Sequence, residues 1–97
     1  MKQIKFYKNN KKINIEQYKI VYLFKEKEIN IETNDSIIKL NFINKSCLYY
    51  LKSQGITLTI NVLLMKIIEE NNTITLLYTL ESEPDVKNTI KIKKNEA

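Results

Sequence analysis

Thr73-Ile-Thr-Leu-Leu-Tyr-Thr-Leu80 alternates polar and apolar residues through most of its length, and that period of two decides the fold. In an extended chain successive side chains point to opposite faces, so such a run buries one face and wets the other. The same rhythm recurs in Ser36-Ile-Ile-Lys-Leu-Asn-Phe-Ile43 and in Thr89-Ile-Lys-Ile-Lys93, and shorter versions carry it back to Ile4. Short Asn- and Asp-rich breaks separate the runs. These residues bond their own backbone and tolerate left-handed conformations, so the breaks read as turns.

The runs predict strands over Gln3–Tyr7, Ile29–Thr33, Ser36–Ile43, Ser46–Ser53, Thr73–Glu81 and Lys87–Lys93. Ile13–Phe24 reads as one long alternating segment with Tyr18, Ile20, Tyr22 and Phe24 on a shared face. Asn9-Asn10, Asn44-Lys45 and Asn71-Asn72 are expected turns, and Asn34-Asp35 a two-residue hairpin. Gly55, the only glycine, stands where a positive φ is needed. Pro84 lies between strands, where its missing N–H costs no ladder bond.

Residues 61–70 break the pattern, because Val62, Leu63, Leu64, Met65, Ile67 and Ile68 are all apolar. A short helix capped by Asn61 and Asn71 fits this spacing. A strand buried on both faces fits it too, and the unbroken lead-in through Thr57, Thr59 and Ile60 favours the strand. Consecutive strands joined by short turns are antiparallel neighbours. The expected fold is therefore all-β: one domain over residues 1–97, an antiparallel meander of about seven to eight strands closed into a small barrel that leaves no edge, with a two-sheet sandwich as the less favoured alternative. The last few residues are expected to fray.

The chain carries a net charge of +5, from 16 lysines and no arginine set against 11 acidic residues. The lysines read either as a solvated surface and guards for edge strands, or as a basic surface with a polyanionic partner. The lack of arginine argues against a dedicated reader of base sequence, which needs the planar guanidinium fork. No stretch approaches the roughly 20 apolar residues that span a bilayer, and Met1–Lys8 lacks an apolar signal segment. One cysteine allows no internal disulfide. Together these features suit a cytoplasmic protein without a membrane partner.

Chemistry is constrained mostly by what is missing. There is no histidine, which removes the usual general base near neutral pH and the commonest zinc ligand. Cys47 stands beside Leu48 and reads as a buried, inert thiol. The carboxylates Glu81, Glu83 and Asp85 lack the length and glycine of a calcium loop, and a single glycine cannot build a phosphate-cradling loop. No catalytic residue, metal or cofactor is expected, and the chain reads as a non-enzymatic binding module.

Two residue sets could bind. Tyr18, Tyr22, Phe42, Tyr50 and Tyr78 could line a barrel lumen or mouth for a small apolar ligand, the leading reading. Lys39, Lys52, Lys91, Lys93 and Tyr49 could instead hold RNA, a nucleic-acid single strand or another polyanion. A third reading is protein–protein interaction by strand addition at an edge, at the short basic strands Gln3–Tyr7 and Lys87–Lys93. An apolar, lysine-free edge would favour that reading, and these strands carry lysines. The expected assembly is a monomer or a weak homodimer.

From Tyr50 onward the chain resembles the YwiB-like family, uncharacterised bacterial proteins with a calycin-like β-barrel. The features are Tyr50 followed five residues later by Gly55, the alternating Leu58, Ile60 and Val62, the Ile74-x-Leu76-x-Tyr78-x-Leu80 run and the Ile90-x-Ile92 strand. They cover about half of the chain. Lys52 and Leu63 stand where the family tends to have threonine, and the upstream Arg-x-Gly element is absent, as in a shortened and divergent member. The resemblance implies a closed antiparallel barrel of a ligand-binding superfamily, and a strand over Ile56–Glu70.

Overall fold

The computed structural model describes residues 3–93 and is all-β, with no helix among them. There are ten strands: β1 (Gln3–Lys8), β2 (Lys11–Ile13), β3 (Lys19–Leu23), β4 (Glu28–Glu32), β5 (Ser36–Asn41), β6 (Ser46–Leu51), β7 (Ile56–Ile60), β8 (Val62–Glu70), β9 (Thr73–Leu80) and β10 (Asn88–Lys93). They form two five-stranded sheets. Sheet 1 runs β2-β1-β10-β9-β8 and sheet 2 runs β3-β4-β5-β6-β7. The expected fraying of the last few residues concerns positions outside the described ones.

The count exceeds seven or eight because two long runs break. The Ile13–Phe24 segment splits at a turn over Glu16 and Gln17, so β2 ends at Ile13 and Tyr18 precedes β3. The Ile56–Glu70 run is strand, as its lead-in suggests, but it is interrupted at Asn61. A second correction concerns edges. β1 pairs with both β2 and β10, and β10 with both β1 and β9. The two basic strands expected at edges are interior strands, because the two ends of the described chain pair with each other.

Turns form where the residues predict them. Asn9 and Asn10 have φ of 49° and 67°, the doubly positive pattern of the turn that matches strand twist in two-residue hairpins. The Asn9 side-chain oxygen accepts from the Lys87 N–H at 2.8 Å, tying this turn to the approach of β10. Lys27 and Lys45 also adopt positive φ, and Gly55 does so at 62°. Asn41 Oδ1 accepts from the Ile43 and Asn44 N–H groups at 3.0 and 2.8 Å, closing the β5–β6 turn. The β4–β5 connection departs from the two-residue hairpin expected at Asn34-Asp35: it takes three residues, because Thr33 Oγ1 accepts from the Asp35 and Ser36 N–H groups and draws Thr33 into the turn.

Each sheet has one apolar face, set by register. In sheet 1, Ile13, Phe6, Ile90 and Leu76 form one cross-strand row, and Ile4, Ile92 and Ile74 the next. Phe6, Ile74, Leu76, Ile90 and Ile92 are buried. Phe6 meets Tyr78 edge-on at 6.4 Å between ring centres. In sheet 2, Tyr22, Ile29, Leu40 and Cys47 form a buried row and Ile31 adds to the next. Each fully buried Leu or Ile contributes roughly 1.5–3 kcal/mol. Among the described residues no helix is long and apolar enough to cross a membrane.

Candidate functional site

The face of sheet 1 opposite its apolar rows is basic. Alternation in β1 sends Ile4 and Phe6 to the apolar face and Lys5 and Tyr7 to the other. In β10 the same alternation separates Ile90 and Ile92 from Lys91 and Lys93. The antiparallel register sets Lys5 directly opposite Lys91 and Tyr7 opposite Thr89. On the flanking strands Lys12 stands opposite Tyr7, and Thr75 and Thr73 stand opposite Lys91 and Lys93. Lys5, Tyr7, Thr73, Lys91 and Lys93 line a shallow hollow of about 210 Å3.

The Lys91 ammonium lies 5.4 Å from the centre of the Tyr7 ring. Such a cation over an aromatic face is worth about 0.5–1 kcal/mol at an exposed site. Among the described residues, no ion pair involves Lys5, Lys91 or Lys93. Opposed lysines on neighbouring strands repel. The hollow is thus a concentration of positive charge that the sheet itself leaves unneutralised.

Sheet 2 carries a different feature on the face opposite its buried row, where apolar and polar side chains mix. Ile37, Lys39, Leu48, Tyr50 and Thr57 line a groove of about 230 Å3. Asn30 stands opposite Lys39 on β4, and its buried side-chain oxygen has no hydrogen-bond partner among the described residues. Lys52, just past β6, is committed elsewhere. Its ammonium donates to Glu32 Oε2 at 2.7 Å and to the Thr33 carbonyl at 2.9 Å. That hydrogen bond, and the charge behind it, holds the Glu32 carboxyl below its usual pKa.

The residues singled out from sequence therefore divide. Lys91 and Lys93 come together in the basic hollow, Lys39 lines the sheet 2 groove, and Lys52 pins the β4–β5 connection. Tyr49 is half-buried on the face of sheet 2 opposite to Lys39. Of the aromatic set, Tyr22 is buried in sheet 2, Phe42 is buried in the turn just after β5, which ends at Asn41 and not at Ile43, and Tyr78 is buried in sheet 1. Tyr18 borders an open depression with Gln17, Thr33, Asn34 and Asp35. Tyr50, 37% exposed, lies on the face of sheet 2 away from Tyr22.

Lys5 and Tyr7 join the basic hollow although neither was a candidate from sequence. The alternation in β1 already puts both on the polar face. What was hidden is the pairing of β1 with β10, which joins segments more than eighty positions apart. Cys47 is fully buried, and burial pushes its thiol from 9.0 up to about 11, so it is protonated at neutral pH. Among the described residues no cluster of Cys, Asp and Glu is placed to hold a metal ion. Compared with protein-family models, curated proteins and solved structures, the chain matches none.

Proposed function

We propose that the protein binds single-stranded nucleic acid on the basic face of sheet 1. The observation that carries this reading is the unneutralised opposition of Lys5 and Lys91 beside Lys93 and Tyr7. Lysines bind phosphates as point charges and read no base edges, which fits a chain with no arginine. Lys12, Lys5, Lys91 and Lys93 take backbone phosphates. Lys91 swings off the Tyr7 ring to a phosphate and leaves the ring face to a base. Thr73, Thr75 and Thr89 offer hydroxyls on the same face.

Fluorescence anisotropy of a labelled oligonucleotide, titrated at several salt concentrations, tests this. Four lysine–phosphate contacts predict a slope of log K on log salt of about −3 for a single strand. Replacing Lys91 by glutamine lowers the slope by about 0.7. Binding that ignores salt, or none at low salt, removes the proposal. Equal binding of a base-free polyanion assigns the face to anionic polymers in general.

A second reading rests on the sheet 2 groove. Ile37, Leu48 and the Tyr50 ring around the Lys39 ammonium suit a small apolar molecule with one anionic group. Native mass spectrometry of freshly purified protein and dye displacement test it, and no retained ligand and no uptake count against it. The calycin-like barrel of the YwiB-like resemblance belongs with this reading. Its support is a strand order that is sequential within each sheet apart from the β1–β10 pairing. The absence of histidine and the protonated Cys47 support a non-catalytic role, and the single cysteine supports a reducing, cytoplasmic location.

A further inference from the structure

β7 is the terminal strand of sheet 2, and its sequence reads the same in both directions: Ile56-Thr-Leu-Thr-Ile60. The other terminal strands carry charge. β2 has Lys11 and Lys12, β3 begins at Lys19, and β8 contains Lys66, Glu69 and Glu70. Charged side chains on an edge block its pairing with other chains. β7 has no charge, no proline and no glycine. It is also poorly covered, with Ile56 and Leu58 exposed by 45% and 46% on one face and Thr57 and Thr59 exposed on the other.

We propose that β7 pairs antiparallel with β7 of a second copy of this chain, about a two-fold axis at Leu58. In that register Leu58 meets the partner's Leu58, Ile56 meets the partner's Ile60 and Thr57 meets the partner's Thr59. Apolar side chains then oppose apolar ones on one face, and threonine opposes threonine on the other, both favourable cross-strand pairs. A shift by one residue sets Leu58 against threonine and destroys the match. The palindrome selects a second copy over an unrelated strand, since each half is the complement of the other. Such a contact is isologous and uses the edge up, so it closes at a dimer and does not grow into a fibre.

Each copy carries +5, so salt screens the repulsion between them and strengthens the dimer. Nucleic-acid binding weakens with salt, so failure of either proposal is distinguishable from failure of the other. Analytical ultracentrifugation of the full chain over a wide concentration range is expected to show a monomer–dimer equilibrium that tightens with salt. Leu58→Lys sets like charges opposite each other at the axis and weakens the dimer by about tenfold or more, with the circular dichroism spectrum unchanged. Under mild oxidation Leu58→Cys forms a disulfide-linked dimer, because the two sulfurs meet at the axis. Thr59→Cys does not, because its opposite number is the partner's Thr57. A monomer under every condition, a Leu58→Lys protein that dimerises like wild type, or equal cross-linking of both cysteine variants overturns the proposal.

Discussion

Lys5 and Lys91 occupy opposite positions on β1 and β10, so two cationic side chains rise side by side from the same face of sheet 1. Cross-strand partners of like charge destabilise a sheet. Three further residues of that hollow add no negative charge: Tyr7, Thr73 and Lys93. A sheet under selection for stability alone would pair one of these lysines with a carboxylate. The cost is offset when an anion arrives, and this links the register of two strands to function.

Lys5→Gln is expected to stabilise the free protein by a few tenths to ~1 kcal/mol at low salt, while weakening oligonucleotide binding. Thermal unfolding at two salt concentrations checks it, and the gain shrinks at high salt. Lys91→Gln gains less, because it also gives up the contact with the Tyr7 ring, worth about 0.5–1 kcal/mol.

Tyr7 separates stacking from charge. Tyr7→Ala is expected to weaken single-strand binding by about 1–3 kcal/mol with the salt slope unchanged. Tyr7→Phe keeps the ring and is expected to keep most of the affinity. Anisotropy titrations of both variants against one oligonucleotide decide this, and equal losses would show that the hydroxyl, not the ring face, matters.

The pairing of Lys52 with Glu32 predicts a pH dependence. The Glu32 carboxyl sits below its ordinary pKa, chiefly through the hydrogen bond from Lys52. A depressed carboxylate stabilises the fold above its unfolded pKa and loses that contribution as pH falls through its folded pKa. Glu32→Gln is therefore expected to lower the melting temperature at neutral pH and to converge on wild type in strong acid. The pair is partly exposed, so the effect is small and fades with salt.

Cys47 predicts the opposite limb. Its pKa is raised by burial from 9.0 to about 11, so the unfolded chain loses this proton at lower pH than the folded one. Stability from this group is complete below pH 9 and falls as pH rises toward 11. Cys47→Ala is expected to flatten that alkaline loss. In the native wild type the thiol should resist alkylation at neutral pH and react once the chain is unfolded.

The class of fold was legible because alternation is local. The rows through Ile74, Leu76 and Tyr78 and through Ile90 and Ile92 follow from spacing, and so do the turns at Asn9-Asn10 and Gly55. The division into two sheets was not legible, since it depends on which distant strands pair. No local signal says that β1 adds to β10, and that one pairing moved the basic strands from the edge to the interior. The candidate site suffered in the same way. Lys91 and Lys93 were visible on a polar face, but Lys5 and Tyr7 join them only through register. The aromatic set was chosen by residue type. Tyr50 falls on the opposite face from Tyr22 because their strands are aligned through Ile29, Leu40 and Cys47, which none of the tyrosine positions reveals.

The most direct test of the basic face is an amide chemical-shift titration of the nitrogen-15-labelled protein with a short single-stranded oligonucleotide. Shifts are expected at Lys5, Tyr7, Thr89 and Lys91, with Thr73 and Lys93 beside them, and little change at Ile37, Lys39, Leu48 and Tyr50. Shifts confined to those sheet 2 residues, or none at low salt, would contradict the account.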